Sequence, residues 1–384
     1  MSAVESNLAA PAASDEAGAP GAPGAAGTLE TLGWNAAWEA AFTEAAPAGT
    51  VPARVVAAHR GSWRLALATG DRDAELAGRL RYGAAGPGDL PAVGDWVAVT
   101  DSDPALIVNV LPRRTAFGRN EGEGQAALDQ VLAANVDTAL VVTGLDGDFN
   151  LRRLERYLAV AWSGGVTPVI LLNKADAATD PQGALAAAQS VAPGVDVRLI
   201  AAREGTGVEA LARDHLGAGT TAVVLGSSGA GKSTLLNALL GEARARTGAV
   251  RSDDAKGRHT TTHRELHRLP GGGLLIDTPG IRSLGVAGAD EGLGTAFADV
   301  IDLASGCRFA DCRHEGEPGC EVLAAVADGR LDEDRLASHR KLEREAAHVA
   351  RQSDRLLREA EAKRWRAIHK SAQAHMAHKY GSGR

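Results

Sequence analysis

One run of nine residues constrains this chain more than any other feature: Gly226-Ser227-Ser228-Gly229-Ala230-Gly231-Lys232-Ser233-Thr234. It fits the spacing G-x-x-x-x-G-K-S/T, directly after an apolar stretch at 221–225 and directly before another at 235–240. Strand, glycine-rich turn and helix in that order make a phosphate-binding loop. The glycines let the backbone curl so that successive N–H groups converge on phosphate oxygens, and the helix N-terminus adds its positive end. Lys232 is then expected to reach the β- and γ-phosphates, and the Ser233 hydroxyl to ligate Mg²⁺.

The sequence around the loop supplies the sheet it needs. Apolar runs at 136–142, 167–172, 195–200, 221–225 and 273–277 read as buried strands, with helical patterns near 151–162, near 183–191 and from 208. Alternating strands and helices predict a largely parallel sheet covered on both faces, with ligands at the carboxyl ends of its strands. Two further motifs fall at such ends. Asp277-Thr278-Pro279-Gly280 closes 273–277, about 45 residues after Lys232. A carboxylate there can hold Mg²⁺, and the Gly280 N–H can meet a γ-phosphate. Asn173-Lys174-Ala175-Asp176 closes 167–172. Asp176 can accept from N1–H and the 2-amino group of guanine; adenine lacks both donors and would leave the carboxylate unpaired. Asn173 and Lys174 would brace the loop and cover the base. Ala201-Ala202 follows 195–200, where guanine-binding sheets place a Ser-Ala pair whose backbone touches the base; the serine is replaced here.

The motif order is unusual: Asn173–Asp176 precedes the phosphate loop by about 50 residues instead of following it. The same sheet can still form, because domain termini lie close together and permutation is tolerated. The chain leaving Asp277–Gly280 then runs straight into the C-terminal region. Between the loop and Asp277 lies a polar segment ending in His259-Thr260-Thr261-Thr262, suited to a switch loop. One of these threonines would complete the Mg²⁺ shell, Thr261 being favoured. Ile281 stands where Ras-like enzymes place a water-orienting glutamine, and it cannot orient water. Slow intrinsic hydrolysis is therefore expected, with a partner or another group completing the site. His259 is the nearest candidate for a catalytic role, a structural role being equally open.

Upstream, residues 1–28 are an Ala/Gly/Pro-rich, low-complexity extension, expected to be disordered. Residues 29–46 suit a short helix with Trp34, Trp38 and Phe42 along one face. From about 50 to 119, short β-type runs separated by Gly and Pro predict a small barrel, with the OB-fold the first choice. OB-folds bind RNA by aromatic stacking, but aromatics make up only 4% of this chain, so packing suits Trp63 and Trp96 at least as well. Residues 112–119 are expected to leave the barrel as a basic linker.

Downstream, all three cysteines lie in Cys307-x₄-Cys312-x-His314-x₅-Cys320. Three thiolates and an imidazole complete a closed tetrahedron that suits structural Zn²⁺, with no position left open for catalysis. The same count excludes a disulfide framework and fits a reducing cytoplasm. The tail, 331–378, lacks Gly and Pro and reads as one or two long helices. Residues 335–384 carry 13 Lys/Arg against 5 Asp/Glu although the whole chain is at −7. A basic tail on an acidic body suits an anionic partner such as RNA. No apolar run reaches the ~18 residues of a membrane helix and the N-terminus is no secretory signal, so no membrane partner is expected.

Taken together these residues resemble the RsgA (YjeQ) family of small-ribosomal-subunit-dependent GTPases over about residues 30–370. The resemblance rests on Val110-Leu-Pro-Arg-Arg114, the segment 129–137, Asn173–Asp176 ahead of Gly226–Thr234, residues 257–262, Asp277–Gly280 and the Cys/His cluster. It implies an OB-fold barrel, a circularly permuted α/β P-loop GTPase domain and a helical zinc-binding domain, placed here at 29–119, 120–285 and 286–384. It also implies GTP hydrolysis with Mg²⁺, stimulation by the 30S subunit, contact with 16S rRNA and a role late in subunit maturation. A cytoplasmic monomer is expected. Two other readings are a GTP-dependent kinase, for which no acceptor pocket is visible, and an RNA-binding module with a vestigial nucleotide site, against which Lys232, Ser233 and Asp277 speak.

Overall fold

In the computed structural model five short strands close into a barrel: β1 (Thr50–Ala58), β2 (Trp63–Leu67), β3 (Gly70–Leu76), β4 (Trp96–Thr100) and β5 (Ala105–Val110). The structure describes residues 29–59, 61–84, 86–119, 130–241, 264–277, 290–348 and 351. The expectations for residues 1–28, for His259 and Thr261, for Gly280 and Ile281, and for most of the basic tail lie outside them. β1 pairs antiparallel with both β2 and β4, β3 pairs parallel with β5, and β4 pairs with β5, so the ring has no free edge. Small and aliphatic side chains fill it, Ala53, Val55, Leu65, Val97, Val99 and Ile107 among them. β3 carries Asp71, Asp73 and Glu75 on its outer face and Arg72 on the inner one, and buries only Ala74 and Leu76, which is why its pattern does not read as a strand.

The helix expected at 29–46 begins later than its aromatic stripe requires. It runs Ala36–Ala45, started by Asn35, whose side chain accepts the N–H groups of Ala37 and Trp38. Trp34 therefore lies outside the helix, yet its ring still meets Phe42 at 6.0 Å and Trp96 at 4.6 Å. Trp96 is 1% exposed and Trp63 6%, and the Trp63 indole N–H donates to the Pro91 carbonyl. Neither presents a stacking face, so both serve packing. The expected linker at 112–119 also needs correction: Ala116–Arg119 forms β6, paired with β7 (Gln130–Ala134). Buried Phe117 anchors this ribbon against Leu132 and its neighbours in the core.

The second part is the predicted parallel sheet: β8 (Thr138–Gly144), β9 (Thr167–Asn173), β10 (Asp196–Leu199), β11 (Thr221–Gly226) and β13 (Leu274–Asp277), with β12 (Arg264–Arg268) antiparallel beside β13. The order is β10-β9-β8-β11-β13-β12, and β12 continues into the barrel by pairing Glu265 with Ala57 of β1. Alternate residues point to opposite faces. Val141, Ile170 and Val223 meet Leu154 and Leu158 of the helix Leu151–Ser163 on one face. Leu140, Val169 and Val224 meet Leu211 and Leu235 on the other.

A C-terminal helical module packs on the outer side of the helix Leu151–Ser163. It comprises Asp290–Ala296, Ala298–Ala304, Glu321–Ala327 and a helix over 333–348. A Cβ at Gly292 would overlap Ser163, so the two helices approach closely there. Arg335, 5% exposed, is the anchor. It pairs with Glu155 at 2.8 Å and with Asp299 at 2.6 Å, and donates to the carbonyls of Val191 and Ala296. Burial pushes the Glu155 carboxyl above the usual carboxylate range, against the pull of Ser338 and Arg335. Truncating Arg335 would strand that carboxylate. Arg335→Ala is expected to cost about 3 kcal/mol, short of the largest buried-pair losses because Asp299 is a third exposed. Thermal melts of the two chains check this, and a loss under about 1 kcal/mol would refute it.

Candidate active site

The crevice between the carboxyl ends of β8 and β11 gathers the motif residues. It is the point where the sheet's order reverses, β8 being flanked by β9 on one side and β11 on the other. β11 runs directly into the phosphate loop. Gly226 and Gly231 have φ of +146° and +95°, and a Cβ at either would overlap the Val142 carbonyl or the Asn173 amide. Only glycine fits these two positions. Ser227 is half-buried, Ser228 and Gly229 form an exposed rim, and Ala230 is buried beneath them. Gly231 precedes the helix Lys232–Leu240, so the N–H groups of Lys232, Ser233 and Thr234 have no acceptor within that helix. These are the donors an anion would meet. Lys232 Nζ donates to the Gly226 carbonyl at 2.9 Å and to that of Ser227, which keeps the ammonium inside the curl.

Asn173, 2% exposed, ties two loops together. Its Nδ2 donates to the Ala230 carbonyl at 2.9 Å and its Oδ1 accepts the Ala202 N–H at 3.0 Å. Lys174 follows in the left-handed region (φ 63°), which swings Nζ onto the Gly229 carbonyl at 2.7 Å and onto Asp146. Asp176 stands exposed in the short turn Ala175–Ala177, open to a base lying across Lys174. Ala201 and Ala202 are buried, and the Ala201 N–H donates to the Thr206 carbonyl at 3.1 Å. Both of their N–H groups are thus engaged within the chain. Asn173→Ala would orphan the Ala230 carbonyl and the Ala202 N–H, costing about 2–4 kcal/mol. Asn173→Asp keeps the acceptor for Ala202 but buries a charge and turns an oxygen on the Ala230 carbonyl, so it should cost at least as much. Melting and nucleotide titrations check both; a loss under about 1 kcal/mol for either would refute the two-bond account.

Asp277 ends β13 on the same edge. Burial pushes its carboxyl above the usual carboxylate range, with His267 and Lys232 pulling it down. A cation beside it would restore the charged form, so this carboxylate fits a divalent ion next to a phosphate chain. Two site residues escaped the sequence reading: Asp146 and Asp148, in the loop after β8. Asp146 pairs with Lys174, and Asp148 accepts from the Ser227 hydroxyl and pairs with Arg153. The signal available was their place after an apolar run that proves to be the central strand.

About the cluster after the helix Ala298–Ala304, the structure gathers Cys307, Cys312, His314 and Cys320, with ligand atoms all within 4.8 Å of one another. Cys320 Sγ lies 3.9 Å from Cys307 Sγ and 3.4 Å from His314 Nδ1. His314 adopts φ 59°, a left-handed conformation that aims its ring inward. Burial acts against the Cys307 thiolate, but the N–H groups of Val322 and Glu321 hold its pKa below the ordinary thiol value. Burial and the neighbouring thiols push Cys312 up to about 12. Three thiolates together need a cation, and four convergent donors could hold one.

The family model described as RsgA GTPase matches residues 110–287. One described as 50S ribosome-binding GTPase matches residues 221–355. A relative from Opitutus terrae, named small ribosomal subunit biogenesis GTPase RsgA, is 48% identical and covers 90% of this chain and 97% of its own length. The chain belongs to the RsgA GTPase family. A relative of the same name from Streptomyces coelicolor is 45% identical over 90% of this chain and 94% of its own. Among solved structures, YjeQ from Thermotoga maritima aligns with a TM-score of 0.58 at 25% identity, covering 76% of this chain and 97% of that one. YloQ, described as a circularly permuted GTPase, shares the fold with a TM-score of 0.55 at 23% identity, over 79% of this chain and 96% of its own. As a member of this family, the chain is a GTP-hydrolysing enzyme with a barrel, a permuted P-loop domain and a C-terminal Cys/His cluster. Among the described residues no helix is long and apolar enough to cross a membrane.

Proposed function

We propose that this chain hydrolyses GTP while serving late maturation of the small ribosomal subunit, and that contact with the 30S subunit stimulates its turnover. The observation that carries the reading is one crevice bordered by the phosphate loop, Asn173–Asp176 and Asp277, on a chain 48% identical over 90% of its length to a relative named for that process. Lys232 and the N–H groups of 226–234 would hold the phosphates, and Asp176 would select guanine over adenine. Ser233, Thr261 and Asp277 would hold Mg²⁺, which neutralises charge between the β- and γ-phosphates. Ile281 offers no hydrogen bond to an attacking water, so the ribosome, or His259, would orient it. The tail from 335, with its excess of eight positive charges, would lie on 16S rRNA phosphates. Nucleotide state would set how firmly the C-terminal module and tail grip, and hydrolysis would release the protein.

For the Cys/His cluster we propose Zn²⁺. A tetrahedron with Zn–S of about 2.3 Å and Zn–N of about 2.0 Å requires S···S near 3.8 Å and S···N near 3.5 Å. The separations among Cys307, His314 and Cys320, at 3.9, 3.4 and 3.6 Å, lie near those values, and all four ligand atoms fall within 4.8 Å of one another.

The test is GTP turnover with and without 30S subunits, with 50S subunits and ATP as controls. Stimulation of at least about tenfold by 30S alone, with GTP preferred over ATP, supports the reading. The 50S wording of the model over 221–355 favours a large-subunit partner, and stimulation by 50S alone would establish that instead. No stimulation by either subunit would leave a GTPase without the ribosomal role.

A further inference from the structure

We infer that Asp148 is a positioning residue that joins the phosphate loop to the C-terminal module through the helix Leu151–Ser163. On the loop side, its carboxylate accepts the Ser227 hydroxyl, one residue beyond the turn at Gly226. It sits at the switch point, where the ends of β8 and β11 lie side by side with Gly226 in register with Val142. On the helix side, it pairs with Arg153 in the first turn, and Asn150 caps the same turn by accepting the Arg153 N–H at 3.0 Å. Asp148 is thus fixed at both ends, to the loop that holds phosphate and to the start of a rigid helix.

That helix carries the C-terminal module along its outer face. Arg152 pairs with Asp334, Glu155 with Arg335 at 2.8 Å, and Arg156 with Glu345 at 2.8 Å. Near its far end, Ser163 and Ala159 meet Gly292. The three charged pairs recur at positions 152, 155 and 156, spaced to face one way on a helix. A displacement of Ser227 when the loop closes on phosphate would therefore reach the module by a tilt of one helix, with Asp148 as the joint. This route is separate from the segment following Asp277. It rests on the reading that nucleotide state reaches the module, and it names a residue that carries it.

The test uses the full-length chain saturated with GDP or with a non-hydrolysable GTP analogue. Amide hydrogen exchange is read across 290–348. In the wild type the two states should differ at least about threefold in exchange rate at some of these amides. Asp148→Ala and Ser227→Ala should each cut that ratio to near one, and the double variant no further, because both remove one contact. Asp148→Asn keeps an acceptor oxygen for Ser227 but loses the charge pair with Arg153, so it should restore only part of the ratio. A purely structural role would not show that rescue. Should Asp148→Ala fold poorly, Ser227→Ala carries the test alone. A ratio that survives both substitutions overturns the role of Asp148 while leaving nucleotide-dependent coupling intact. A wild-type ratio of one overturns the coupling itself, and the joint with it.

Discussion

Lys232→Ala is expected to lower GTP turnover about a thousandfold, or about 4 kcal/mol of transition-state stabilisation. The size follows from where the charge stands. Lys232 Nζ is held against the Gly226 and Ser227 carbonyls, inside the curl of the phosphate loop. A cation fixed there needs no reorganisation as negative charge shifts onto the γ-phosphate and the leaving oxygen. In the folded chain without nucleotide, the alanine loses hydrogen bonds to two carbonyls, worth about 1 kcal/mol each at most, and the pull of the ammonium on Asp277. Turnover and stability should therefore part company: a near-wild-type melt with activity almost gone. Lys232→Arg should rescue little, because a planar fork does not fit the space of a compact ammonium. Turnover of the alanine variant within tenfold of wild type would show that some other cation does this work.

The same residues show what a sequence can and cannot announce. The phosphate loop, Asn173–Asp176 and Asp277 were legible because each is a short local pattern at the end of a buried strand, and the strand itself reads from an apolar run. β3 and β12 were not. Gly70–Leu76 and Arg264–Arg268 expose most of their side chains, so their charge masks a backbone that pairs on both sides. β6 was hidden by the arginines around it, although Phe117 supplies its anchor. The pairing of β12 with β1 joins residues some two hundred positions apart, and nothing local records it. Asp146 and Asp148 carry no fixed spacing to the loop they touch; only the fold brings β8 beside β11. Arg335 is the same case, one arginine among many in a basic tail until its burial between Glu155 and Asp299 singles it out.

Chelation of the Zn²⁺ proposed for the Cys/His cluster, or replacement of Cys320 by serine, is expected to melt 290–348 while the barrel and the parallel sheet stay folded. The helices Asp290–Ala296, Ala298–Ala304 and Glu321–Ala327 have seven residues each, well under the ~12–15 at which isolated helices hold in water. The stretch from 305 to 320 between them has no regular structure to brace it. A site of this kind supplies its binding energy directly to folding, on the order of several kcal/mol here. Cys320 is the ligand with the most to lose. It is buried, it caps Glu321–Ala327 by accepting the Leu323 N–H, and its sulfur lies 3.9 Å from Cys307 Sγ and 3.4 Å from His314 Nδ1. The pH dependence has a definite sign. Thiols and imidazole must lose protons to bind, with Cys312 the most reluctant at about 12, so affinity rises with pH and the module should loosen as pH falls. Metal content by elemental analysis, with limited proteolysis of the chelated chain and of Cys320→Ser, reads both effects. Loss of the metal with 290–348 still resistant to protease would mean that Arg335 and the contacts of Gly292 hold the module without it.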